Sequence, residues 1–302
     1  MVATALSARD VELMLSSEPL PGMPQTAIRL VKLSGDPENG PAEFAVPIEA
    51  DPGLTVQVLR FVNSSYFGFR SQISSVKQAI TLVGIRTMKN FVLWHAIFSV
   101  IPNARCSLFD LKALWRDSLR RALFARTLGK VLEVPDVEET FAAALLQDMA
   151  IPLLARRSPE EYSRFFYARF SSKHRARLSQ LEEHVFNWNH AVAAGIVARK
   201  WQMPETLAAL IEDHLIVEPH LFQSKDQYGK LAVAMSAMLP ADDDQTWAER
   251  SRLEDAYAQV RPSNGPSTED LLRKVDEEFT DMAPLLQVSA ARGSLVDKYR
   301  KP

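Results

Sequence analysis

DPGLTVQVLRFVNSSYFGFRSQISSVKQAITLVG, residues 51 to 84, decides the fold class. Asp51-Pro52 is a helix start, because the carboxylate can cap free backbone N–H groups while proline takes the first position without losing a needed donor. Leu54, Val58, Leu59 and Val62 then share one face. NSSYFGF breaks that helix, and Ser74 or Ser75 can cap a short second one that holds Val76, Ile80 and Val83 and stops at Gly84. A longer helix is predicted from about Thr87 to Val100.

Outward from this stretch, apolar residues recur at three- and four-residue spacing almost throughout, and alternating β-branched runs are few. An all-α fold is expected. Pro102 and Asn103 mark a joint, and a second unit begins at Ser107-Leu108. Helices are predicted over 110–131, 138–154, 159–171, 176–186, 189–201, 204–215 and 226–238, with Pro135, Pro159, Pro204 and Pro219 at the turns. Residues 241–302 differ in character: ADDDQ and RPSNGPS are loop-like. The helix after Ser267 places Leu271, Leu272, Val275, Phe279 and Met282 on one side, ready to pack on the body or on a partner. The expected organisation is an N-terminal helical half over 1–105, a second helical half over 106–240 and a C-terminal extension over 241–302.

Lys and Arg total 35 against 37 Asp and Glu, a net charge of -2, so no global field draws nucleic acid or an anionic membrane. The single cysteine, Cys106, excludes an intramolecular disulfide and a Cys-rich zinc site, and fits a reducing compartment. MVATALSARDVELMLSS lacks the pattern of a signal peptide, and no apolar run is long enough to span a bilayer. A cytoplasmic protein is expected. The pair of helices around Gly84 has helix-turn-helix spacing, but Met88, Phe91, Val92, Trp94 and Phe98 leave only Arg86, Lys89 and Asn90 for base edges. Phosphate-binding glycine loops, the Gly-x-Ser-x-Gly elbow and the His-Glu-x-x-His helix are absent.

LPGMPQTAIRLVKL, ADPGLTVQVLRFVNSSYFG and ISSVKQAITLVGIRTMKNFVL follow one another between Leu20 and about Val100. In order and spacing they resemble the N-terminal half of the bacterial HDOD family. LWRDSLRRALFARTLG, FAAALLQDMAIPLL and EEHVFNWNHAVAAGIVARKWQMPETLAALIEDH resemble its second, HD-related half, so the likeness covers about residues 18 to 240. It implies two helical bundles, the second similar to metal-dependent HD phosphohydrolases, and a signalling or regulatory role often without catalysis. Where the fuller motif has histidines, this chain has Asp117 in WRDS, Gln147 before Asp148, and Leu215 after His214; His190 matches a motif histidine. Asp117, Gln147, Asp148, His190 and His214 are therefore the expected remnant pocket.

A His-Asp pair ligates divalent metals because imidazole nitrogen and carboxylate oxygen are good donors, whereas a Gln amide is a weak one. No metal, no cofactor and no catalytic residue are expected. Asp148 needs a polar partner, since burying it unpaired costs several kcal/mol; His190 or His214 is the expected one. Asp117 and Arg121, four apart on a helix, are neighbours, and an Asp117 paired with Arg121 is not free to ligate. His190, capped by Asn189, could simply finish a helix N-terminus, and His214 at a helix end beside Glu212 and Asp213 favours a protonated ring. His95, His174, His184 and His220 lack companion ligands.

RRSPEEYSRFFYARFSSKHRAR, residues 156–177, mixes seven Lys or Arg with five aromatics, which could bind an anionic ligand or acidic partner, with Arg164 and Arg169 as the exposed candidates. Tyr162, Phe165, Phe166 and Phe170 follow helical periodicity and are expected in the core. The leading expectation is a non-catalytic signalling protein that binds a protein partner or a small regulatory ligand, with a homodimer also open. An HD-type phosphohydrolase or cyclic-dinucleotide phosphodiesterase is the first alternative and a nucleic-acid-binding module the second.

Overall fold

Asp51 caps as its position demands: its carboxylate accepts from the Leu54 N–H at 3.0 Å, and Ser75 does the same for Gln78 at 3.4 Å. The computed structural model describes residues 10–16, 19–36, 38–104, 106, 108–171, 176–244 and 246–301. The expectations for the first nine residues, for a start at Ser107 and for His174 lie outside these, as do the side chains of Phe170 and His220. Every regular element among the described residues is helical.

The first unit comprises α1 (10–16), α2 (Gln25–Leu33), α3 (Pro41–Glu49), α4 (Pro52–Val62), α5 (Val76–Val83) and α6 (Ile85–Val100). The second comprises α7 (Leu111–Val131), α8 (Val137–Leu146), α9 (Ala150–Arg157), α10 (Pro159–Ser171), α11 (Leu178–Phe186), α12 (His190–Lys200), α13 (Glu205–Glu212) and α14 (Tyr228–Ser236). The extension adds α15 (Arg250–Val260), α16 (Thr268–Met282) and α17 (Leu295–Arg300). Helix α7 is the hub, lying against α8, α14 and α16, and most of its length is buried. No helix among the described residues is long and apolar enough to cross a membrane.

The single helix expected over 138–154 is two. Pro152 has no N–H to return to residue 148, so Asp148 O accepts from Ile151 N at 3.0 Å, while Leu146 O accepts from Met149 N at 3.0 Å. These tighter bonds break α8 from α9 across Gln147, Asp148 and Met149. The break places Asp148 at a turn between two buried helices. Around Gly84, whose φ of 89° suits glycine, the three candidate base-reading residues do not form a free row: Asn90 is buried, Lys89 is half-buried, and Arg86, though exposed, is held in an ion pair. Asn90 is buried and donates to Glu138 O at 2.9 Å, Arg86 pairs with Asp136 at 3.3 Å, and burial lowers the Lys89 pKa.

The C-terminal extension packs on the body. Leu271, Leu272, Val275, Phe279 and Met282 are buried as their spacing required. Asp242, 1 % exposed, accepts from Arg116 Nε at 3.0 Å, Arg120 Nη1 at 3.4 Å and Arg292 N at 3.0 Å. Arg120 also donates to Gly293 O. Lys298 Nζ closes the same corner on Ala241 O at 2.6 Å and Asp242 O at 2.8 Å. Trp94 Nε1 donates to Leu286 O at 3.4 Å, which ties the extension to the first unit.

Candidate functional site

Asp148, on the turn between α8 and α9, is 3 % exposed and faces a cleft of about 150 Å³. Asp117 and Arg121 of α7, His190 at the start of α12, His214 after α13, Arg169 of α10 and Arg177 before α11 also line it. Leu239, Pro240, Trp247 and Glu249 form its far wall. Asp117, Asp148, His190 and His214 thus line one cleft from separate parts of the second unit. Gln147 does not join them: fully buried, it lies against Ser236 of α14, with 3.3 Å between Oε1 and Oγ. Ser236 has one hydroxyl proton, and Val233 O at 2.7 Å is its nearer acceptor. The carboxamide is therefore best satisfied with its NH₂ toward Ser236 Oγ.

Arg121 donates to Asp148 Oδ2. The pairing left open within α7 is not the one made: the Arg121 guanidinium reaches the carboxylate on the turn between α8 and α9, and Asp117 Oδ1 accepts from Asp242 N at 2.8 Å. Burial pushes the Asp117 carboxyl up to about 6, against the pull of Arg121 and Arg120. On its other oxygen, Asp148 Oδ1 lies 3.4 Å from His190 Nε2 and 3.7 Å from His214 Nε2.

His190 is held by a buried carboxylate. Glu182 Oε2 accepts from His190 N at 2.8 Å and lies 2.6 Å from Nδ1, and Glu182 Oε1 accepts from Tyr162 Oη at 2.6 Å. The carboxylate fixes the proton on Nδ1, so a neutral His190 turns the lone pair of Nε2 toward Asp148. His214 does the same by another route, since its Nδ1 donates to Ile211 O at 2.7 Å and its buried Nε2 has no hydrogen-bond partner. The protonated ring expected at this helix end is overturned. Burial, with His190 beside it, holds the His214 pKa well below the usual imidazole value, while Glu212 pairs with Arg199 and Asp213 with Lys230.

Asp148 Oδ1 and the two Nε2 atoms form the one group among the described residues where three His, Cys, Asp or Glu ligand atoms converge, all within 4.8 Å of one another. Their chemistry fits one divalent ion, and the orphaned His214 nitrogen is a donor such an ion would use. The set is too small for a binuclear centre, because Arg121 covers the second oxygen of Asp148 and Gln147 lies outside the cleft.

The two arginines singled out from the basic stretch separate. Arg164 is exposed, whereas Arg169 lines the cleft, and Tyr162, Phe165 and Phe166 are buried as periodicity required. Arg177, Glu182, Trp247 and Glu249 escaped sequence reasoning. They matter through contacts that cross helices, for which spacing along one helix gives no signal.

A family model for the HDOD domain matches residues 20–216. The chain is 17 % identical to a Shewanella amazonensis protein provisionally named a phosphohydrolase, with a TM-score of 0.66 over 96 % of this chain and 98 % of that one. It is 18 % identical to a Marinobacter aquaeolei protein provisionally named for signal transduction, with a TM-score of 0.69 over 94 % of this chain and 66 % of that one. At these identities the likeness is one of fold. An uncharacterised protein of Treponema pallidum is 20 % identical over 196 residues, 65 % of this chain and 37 % of the relative, so the match spans little more than a third of that protein.

Proposed function

Since the chain belongs to the HDOD family, we propose that it is a non-catalytic regulatory protein whose remnant HD cleft binds a small ligand or transmits the docking of a protein partner. One observation carries this reading. The Arg121 guanidinium sits on Asp148, so a fixed cation of the chain compensates the carboxylate that a hydrolase would give to metal. Hydrolysis through paired ions needs ligands for both, and among the described residues the cleft offers a single converging trio. On this reading residues 1–105 and 106–240 are two halves of one signalling unit in the cytoplasm, and residues 241–302 are an extension that walls its cleft. Metal analysis of protein purified without chelator, with a phosphodiester and phosphomonoester hydrolysis screen, tests it. Substoichiometric metal and no turnover are expected; stoichiometric metal with turnover lost in Asp148→Ala refutes it.

One observation favours a second reading, a phosphohydrolase with one ion. The unpartnered His214 Nε2 and the Tyr162–Glu182–His190 chain resemble the outer support that metal-bound imidazoles receive. An ion held by Asp148, His190 and His214 would supply Lewis acidity there. Asp117, kept partly protonated near neutral pH by burial, lies in the same cleft as an acid. The assay above separates the two readings.

A further inference from the structure

Three guanidinium groups converge on the cleft, and they differ in what compensates them. Arg121 has Asp148. Arg177 has Glu249, a residue 72 positions away on the segment leading into α15. Arg169 lines the same space and has no hydrogen bond or ion pair among the described residues. Their mutual repulsion is felt at Arg121, whose pKa is lowered first by burial and then by Arg169 and Arg177, against the pull of Asp117. The acidic groups of the cleft are committed elsewhere. Asp117 accepts from the Asp242 backbone, and Asp244 accepts from Thr246 and Trp247 to close its own turn. Glu249 is divided between Arg177 and Arg252, the latter at 3.2 Å.

Resting on the reading of this cleft as a ligand site, we propose that it takes a phosphate-class oxyanion, free or as a small phosphomonoester, between Arg169 and Arg177. The oxyanion displaces the Glu249 carboxylate, which occupies Arg177 as an internal substitute for it. Guanidinium forks match tetrahedral oxyanions through paired charge-assisted hydrogen bonds, and a second cation beside the first rewards a dianion over a monocarboxylate. The volume, about 150 Å³, is that of a cavity able to hold one small ring, so the ester's organic part is small. Leu239, Pro240 and Trp247 give it an apolar wall. Because Glu249 begins the run into α15, its release frees Pro240, Ala241, Asp244, Trp247 and Ala248 from the cleft rim and couples occupancy to the extension.

Calorimetric titration of the full chain with inorganic phosphate, phenyl phosphate and acetate, at constant ionic strength with a chelator present, tests this. Both phosphates are expected to bind and acetate not. Tighter phenyl phosphate points to an esterified ligand, and equal affinity to the free ion. Arg169→Ala, which removes a half-exposed group without a hydrogen-bond or ion-pair partner among the described residues, is expected to weaken binding about tenfold with melting unchanged. Glu249→Gln should tighten it severalfold, and phosphate should raise hydrogen exchange across 240–249. No binding to wild type or Glu249→Gln below about 10 mM, or equal binding in Arg169→Ala, overturns the proposal. Unchanged affinity in Glu249→Gln overturns the displacement. Metal-free, inactive protein that ignores phosphate refutes this inference alone; metal-dependent turnover refutes the regulatory reading beneath it.

Discussion

Asp242→Ala removes the carboxylate on which the extension turns, and the cost follows from what it leaves behind. Arg116 and Arg120, 5 % and 2 % exposed, stay charged because guanidinium does not lose its proton in proteins. Removing one partner of a buried ion pair typically costs about 3–5 kcal/mol. Here some compensation survives. Arg116 keeps Ser289 Oγ at 2.6 Å and Asp110 at 3.6 Å, and Arg120 keeps Gly293 O and Asp276 at 3.8 Å. The expected loss is therefore at the lower end, about 3 kcal/mol, with Asp242→Asn losing less because an amide oxygen can still accept from Arg292 N. Urea denaturation followed by far-ultraviolet circular dichroism measures the loss through the shift in midpoint at unchanged slope. Hydrogen exchange should locate the earliest opening in residues 241–302 rather than in α7. A loss below about 1 kcal/mol, or opening spread evenly over the chain, would show that the arginines find equal partners without Asp242 and that the node does not hold the extension.

Asp117→Asn keeps an acceptor for Asp242 N and deletes a charge that burial disfavours. The folded pKa, about 6, stands above the ordinary 3.8, so the wild type loses stability as pH rises through this window. The substitution should then gain about 2 kcal/mol at pH 7.5 and nothing at pH 4, read from urea midpoints at the two pH values; equal effects at both would contradict the shift. Tyr162→Phe takes one of three donors from the fully buried Glu182 and should cost about 1–3 kcal/mol in the same assay. A cost near zero would mean that the phenol does not serve that carboxylate.

The helical class was legible because it rests on local signals: caps at Asp51 and Ser75 and the apolar face of α16 all stand where spacing put them. Helices α2 and α3 carry weaker local signals. α2 has no side-chain cap, and α3 contains Pro47 in its last turn, which composition argues against. Motif positions pointed to Asp117, Asp148, His190 and His214 in one cleft, but they also put Gln147 there, which lies outside it, and they gave nothing of the wiring. Arg121 had two carboxylates to choose from, and the chain shows only the one four residues away. His214 was misjudged because proximity to Glu212 and Asp213 along the sequence says nothing about burial, which reverses the sign of its preference.

The Trp94 bond to Leu286 and the contact of Gln57 with Gln287 at 3.4 Å join stretches of chain roughly two hundred residues apart. At about 5–20 residues per second, a ribosome delivers the later stretch some ten to forty seconds after the earlier one. For that interval the aromatic face around Trp94, Phe98 and Trp115 lacks the part of its surroundings that Leu285, Leu286 and Val288 supply, and transiently exposed apolar surface of this kind is what makes a growing chain prone to aggregate.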